Sequence, residues 1–382
     1  MKYFKRFIKW FVGILLLLIA VAYLTDYDYI LKGVRVVYFT GHTTAFIDDH
    51  VYFENDTIQA APQRQPWPSH SQLNSEPPTE TLRETHDEFG TVAFLIINND
   101  SIWHEYYAEG YGETSQTNSF SMAKSVTSAL LGKAIMEGHI TGLEQAVGDF
   151  FPKFKNTGLT VGDLSSMASG LDWEESYTSP FSITARSYYD DDLAETILGL
   201  EVTETPGESF KYLSGNTQLL GMVIQKATGT PLADYLEQTL WQPMGAVQPA
   251  LWQVDDDENR LVKAYCCIAS NARDFARLGK LYKDYGNWNG ERLLDSTFVA
   301  QSIQPRFEES PEYGYGFWLS DHLDKKIAVM RGILGQYVII IPEDDIIIVR
   351  LGHQRGARSD LPFSSDFYSY VEEAYLMLDS NG

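Results

Sequence analysis

The runs "GTVAFLIINNDSIWHEYYAEGYG" (90–112) and "GQYVIIIPEDDIIIVRLG" (335–352) do most to narrow what this chain can become. Both are rich in β-branched and aromatic residues, and the first breaks at Asn98-Asn99-Asp100 as a hairpin does. "YGYGFWLS" and "KKIAVM" add strand candidates to the last third, and a helix around "MLD" closes the chain. Helical signals dominate between them, as in "NTQLLGMVIQKATG" and "PLADYLEQTLW". "LTVGDLSSMASGLDW" reads as a short helix with Gly170 at the C′ position. Strands at both ends around a helical middle imply an α+β fold: an antiparallel sheet flanked by helices, with an all-helical subdomain inserted.

Ahead of this domain the chain divides in two. "MKYFKRFIKWFVGILLLLIAVAYLTDYDY" sets Lys2, Lys5, Arg6 and Lys9 before an uncharged run from Trp10 to Leu24. With Phe7 and Ile8 the run approaches the ~20 apolar residues of a membrane span. The basic flank places the N-terminus inside and everything after Asp26 outside. Ala20-Val21-Ala22 resembles a signal-peptide cleavage site, but bulky Tyr23, Leu24 and Tyr27 favour an uncleaved anchor. Residues 1–30 therefore read as basic flank and transmembrane helix. The location expected is the cytoplasmic (inner) membrane, single-pass, with an extracytoplasmic domain that is periplasmic in a Gram-negative cell. Residues 31–85 read as a juxtamembrane segment with strands in "VRVVYF" and "HVYF". A proline-rich linker follows, with Pro62, Pro66, Pro68, Pro77 and Pro78, draped over the domain at 86–382.

A length of 382 residues suits one large domain with an insertion. The formal net charge of −23 argues against nucleic acid as a partner, because phosphate binding needs a basic face. The only cysteines, Cys266 and Cys267, are neighbours, a restrictive geometry for a disulfide. They read as buried small residues, and no metal ligand set accompanies them.

In "SFSMAKSVTSALLGKAIMEG", Ser121 and Lys124 share one side of a helix's first turn. Two readings stand: a cap with a solvated lysine, or a nucleophile with its base. A serine needs an adjacent base, desolvation favours lysine's amine form, and a helix N-terminus offers free N–H groups to an oxyanion. In "PGESFKYLSGN", Tyr212 precedes an apolar helix; a nearby cation would favour its phenolate and let it relay protons. Gly332 and Gly335, in "KKIAVMRGILGQYVIIIPEDD", permit either a close approach or a tight bend.

Taken in order, the hairpin, the "SMAKS" helix, the helical insertion, "YLSGN" before "LLGMVIQKATG", and "GQYVIIIPEDDIIIVRLGH" resemble the serine beta-lactamase and penicillin-binding family. Within it the chain is most similar to class C-like esterases and 6-aminohexanoate-dimer hydrolases, from about His86 to the C-terminus. The resemblance implies a beta-lactamase/transpeptidase-like fold and a serine hydrolase that cleaves small-molecule esters or amides through an acyl-enzyme. It implies neither cofactor nor metal. Ser121 would be the nucleophile, Lys124 its base and Tyr212 the second proton carrier. Ser214 would orient the substrate, as would Tyr188 or Tyr189 from a loop. The Ser121 N–H would form the oxyanion hole with one from Met330, Arg331 or Gly332, and Gln336 lies just beyond.

The family's Lys-Thr-Gly box is replaced by "IAVMRGILGQ", which puts β-lactam and D-Ala-D-Ala recognition in doubt unless Arg331 substitutes. The alternatives are a D-Ala-D-Ala carboxypeptidase, a beta-lactamase, or an inactive membrane-tethered protein that binds cell-wall fragments. No G-x-S-x-G elbow occurs, and His104 lacks the second histidine of H-E-x-x-H, which disfavours a Ser-His-Asp or zinc hydrolase.

Overall fold

The computed structural model describes residues 1–380. Helix α1 (Lys2–Leu24) is long and apolar enough to cross a membrane, and none of its side chains is buried. The chain then passes straight onto the domain through α2 (Tyr29–Val36). The "VRVVYF" run is therefore helical, with Tyr29, Gly33 and Val36 buried at helical spacing. That periodic burial outweighs the β-branched composition. "HVYF" forms a single 3₁₀ turn, and the strand of this region is β1 (Asn55–Ile58).

After α3 (Glu80–Glu88) come β2 (Thr91–Asn98) and β3 (Ser101–Tyr107), joined through Asn99 and Asp100 at positive φ, as the hairpin reading expects. The short β4 (Thr117–Asn118) leads into α4 (Met122–Met136). The helical insertion holds α5 (Val161–Ser165), α6 (Ile183–Tyr189), α7 (Leu193–Gly199), α8 (Ser214–Thr228) and α9 (Leu232–Leu236). Next come β5 (Ala250–Gln253), β6 (Ile268–Ser270), α10 (Ala272–Lys283), the small hairpin β7 (Asn287–Trp288) and β8 (Glu291–Arg292), and α11 (Ser296–Ser302). The chain ends with β9 (Trp318–Ser320), β10 (Ile327–Arg331), β11 (Tyr337–Ile341), β12 (Ile346–Gly352) and α12 (Ser365–Asp379).

The main sheet is antiparallel, in the order β3-β2-β12-β11-β10-β9, so the two distant β-rich runs meet where β2 pairs with β12. Ile339, Ile341, Ile346 and Ile348 face α12 and α3, whereas Val338, Ile340, Ile347 and Val349 face the core shared with α4 and α10. Burial on both faces explains why these strands read as unbroken apolar runs. A second sheet, β1-β5-β6-β4, joins the juxtamembrane segment to the strand before Ser121.

Two local expectations change. Gly170 lies beyond the end of α5, and at φ +69° it lets the Glu204 carbonyl approach to 2.2 Å of where a Cβ would sit. Cys266 and Cys267 are buried, but a disulfide joins them. The positive φ of Cys267 turns the chain between the two side chains.

Candidate active site

Ser121 is the N-cap of α4, yet its hydroxyl makes no capping bond. It receives a hydrogen bond from Lys124 Nζ at 3.1 Å instead. Lys124 is buried and also donates to Ser214 Oγ (3.1 Å) and to the Tyr265 carbonyl (2.9 Å). Burial lowers its pKa to about 8, with the Glu175 carboxylate opposing the shift. The cap-and-solvated-lysine reading does not survive this geometry. An amine so placed can take a proton from the hydroxyl one helical turn away.

Tyr212 lies in the loop before α8, its ring 5.1 Å from Lys124 Nζ. Burial raises its pKa well above the ordinary tyrosine value, partly offset by the Ser121 hydroxyl and the Arg331 guanidinium. The phenolate expected from the lysine charge is thus replaced by a phenol that holds its proton. Desolvation outweighs the Arg331 guanidinium, which acts the other way.

Ser121 and Tyr212 line a cleft of about 470 Å³ with Arg331 and Gly332. Gly332 is a close-approach glycine: a Cβ would lie 2.6 Å from both the Ser119 carbonyl and Gln336 Oε1. Its N–H donates to the Gln336 carbonyl at 2.8 Å. Met330 points into the core, and buried Gln336 donates to the Gly352 carbonyl rather than facing the cleft. Tyr188 and Tyr189 are drawn away as well. Tyr188 bonds to Asp49 (2.7 Å), and Tyr189 packs on Gly33 and Phe53. The tyrosine that joins Tyr212 at the cleft is Tyr177.

The sequence reading missed Glu175. Its carboxylate accepts from Ser214 N (2.6 Å), Ser214 Oγ (2.8 Å), Trp173 Nε1 (2.8 Å) and Tyr177 OH (2.5 Å). It therefore fixes the serine that shares Lys124. Arg355 and Arg358, from the segment after β12, also line the cleft. Arg331 stacks over Trp318 (4.7 Å) and Phe363 (5.2 Å) and donates to the Pro362 carbonyl. Among the described residues, none of these three arginines forms an ion pair.

The Beta-lactamase family profile matches residues 79–363, most of the chain and every one of these cleft residues. The chain belongs to the beta-lactamase family. Within it, the chain is 26% identical over 295 residues to the 6-aminohexanoate-dimer hydrolase of Paenarthrobacter ureafaciens, covering 71% of this chain and 74% of that protein. The fold resembles that of a candidate 6-aminohexanoate-dimer hydrolase from Bacillus anthracis, with TM-score 0.73, 23% identity, and coverage of 86% and 91%. It also resembles EstCE1, a hydrolase with promiscuous acyltransferase activity, with TM-score 0.60, 16% identity, and coverage of 78% and 99%. The two solved structures share the beta-lactamase fold with this chain.

Proposed function

We propose that this protein is a membrane-anchored exported serine hydrolase that cleaves esters or amides through an acyl-enzyme on Ser121. The observation that carries the reading is the buried Lys124 amine, held between Ser121, Ser214 and the Tyr265 carbonyl. Lys124 takes the Ser121 proton as Oγ attacks the substrate carbonyl. The N–H groups at the start of α4 face the resulting oxyanion. Tyr212, protonated in its buried setting, gives its proton to the leaving alcohol or amine as the acyl bond breaks, and Lys124 returns one to the phenol. Water then attacks the acyl-enzyme by the same route reversed, releasing the acid and free Ser121.

Anchoring is supported by α1, whose 23 residues reach about 34 Å at ~1.5 Å per residue, enough for a bilayer core. Three cleft arginines that form no ion pair among the described residues favour a substrate that carries a negative charge, since guanidinium groups pair strongly with carboxylate or phosphate.

A fluorophosphonate probe tests the chemistry. Labelling that disappears in Ser121→Ala is expected; no labelling of the wild type overturns the hydrolase reading in favour of a binding protein. A panel of p-nitrophenyl esters, linear amides and nitrocefin then assigns the bond cleaved. Nitrocefin turnover at the level of a dedicated beta-lactamase would overturn the ester-or-amide preference.

A further inference from the structure

We propose that Asp49, which precedes the region matched by the family profile, is a positioning residue for the turn that presents Ser121. The inference rests on the reading of Ser121 as the nucleophile.

Asp49 is fully buried (0% exposed) in the segment between α2 and β1. One carboxylate oxygen accepts from Asn118 Nδ2 (2.8 Å) and the other from Tyr188 OH (2.7 Å). Asn118 N donates to the Ile47 carbonyl (2.7 Å), so the same short segment holds both the backbone and the side chain of Asn118. Asn118 Oδ1 in turn accepts from Phe120 N at 2.8 Å. Phe120, immediately before Ser121, sits at φ +45°, a conformation that a bulky residue keeps only when its surroundings impose it. Asp49 thus fixes the Asn118 amide, the amide fixes the Phe120 N–H, and Phe120 sets the direction in which Ser121 enters α4.

The arrangement is reinforced on its far side. Lys263, also buried, donates to the Tyr188 carbonyl. β1, a few residues after Asp49, pairs with β5 in the sheet whose opposite edge is β4. The juxtamembrane segment therefore engages both edges of the sheet that delivers the nucleophile.

The test compares full-length wild type, Asp49→Ala, Tyr188→Phe and Tyr111→Phe in detergent. kcat and KM are measured on p-nitrophenyl butyrate, and active sites are counted by fluorophosphonate labelling. Asp49→Ala should lose about ten- to a hundredfold in kcat per labelled site while KM stays within about threefold. Tyr188→Phe removes the Tyr188 bond to the carboxylate, together with the 3.2 Å bond that Asn118 Nδ2 gives the same hydroxyl, and should lose about three- to tenfold. Tyr111→Phe removes the 2.9 Å bond to Asp48 and the 3.4 Å contact with His353 Nε2, neither of which touches Asp49, Asn118 or Phe120, and should behave as wild type. Wild-type kcat per labelled site in Asp49→Ala overturns the proposal, as does a loss that vanishes once labelled sites are counted. If Asp49→Ala does not fold, Tyr188→Phe decides: an unchanged kcat overturns the proposal. A wild type that does not label overturns the serine-hydrolase reading and this inference with it, whereas normal labelling beside an unaffected Asp49→Ala overturns the inference alone.

Discussion

Lys124 Nζ lies 3.1 Å from Ser121 Oγ, one helical turn away, with the lysine side chain almost wholly buried. The same burial that makes Lys124 a base makes it a liability for stability, so both effects share one titration.

With a folded pKa of about 8 against an ordinary 10.5, the amine form dominates above pH 8. kcat/KM should rise about tenfold per pH unit below pH 8 and level off above it. Between pH 8 and 10.5 the unfolded chain binds more protons at Lys124 than the folded chain does, so stability rises with pH in that window. Below pH 8 the full cost applies, roughly 3 kcal/mol by the size of the shift. Lys124→Met should be inactive, and its melting temperature relative to wild type should fall steadily from pH 8 to pH 10. A difference independent of pH would contradict the buried amine.

Glu175→Gln sets an amide group against donors that the carboxylate now accepts from. It should destabilise by about 1–3 kcal/mol in chemical denaturation and lower kcat by about tenfold or more. Because the Glu175 charge raises the Lys124 pKa, the rising limb of the pH–rate profile should also move to lower pH. A limb that stays in place would separate Glu175 from the base.

Gly332→Ala drives a methyl group against the Ser119 carbonyl, two residues before Ser121. Thermal unfolding should show a loss of about 1–3 kcal/mol, accompanied by a fall in kcat. Gly112→Ala, where a Cβ meets nothing within 4 Å, is the matched control and should be neutral in both measurements.

The arginines predict charge selectivity. Hydrolysis of 4-acetoxybenzoate should show a KM about tenfold below that of its neutral methyl ester, and added salt should shrink the gap. Arg355→Gln and Arg358→Gln should each narrow it further while leaving the neutral ester unaffected. Equal KM values for the two esters would remove the arginines from substrate recognition.

What could be read in advance followed local rules. The Ser121–Lys124 spacing, the Asn99-Asp100 turn and the two-sided apolar strands all express short-range periodicity, and each lies where that periodicity puts it. Gly332 was visible as a glycine in a strand run, but the Ser119 carbonyl that forbids a side chain there comes from another part of the chain. Glu175, Tyr177, Arg355 and Arg358 lie in irregular loops without a period, and their meeting depends on how α5–α8 and the segment after β12 fold over α4. Tyr188 and Tyr189 stand where the resemblance implies a loop tyrosine near the substrate. They form the end of α6 instead, turned toward the juxtamembrane segment, whose contacts no local pattern announces.

The joint between α1 and the domain has its own consequence. Arg186 donates to the Asp26 carbonyl (2.7 Å), Tyr29 OH to the Pro180 carbonyl (3.0 Å), and Tyr27 stacks edge-on against Phe181 (6.0 Å). Phe181 is four residues from Tyr177 at the cleft, a reach of at most about 14 Å even at full extension. With α1 in a bilayer, no slack chain remains for the domain to swing on. The cleft would ride at a fixed stand-off just above the lipid headgroups and sweep a thin layer rather than a volume. Its natural encounters would be with molecules crowded at that surface, counted per unit area, and a bulky polymer held far from the membrane would stay beyond its grasp.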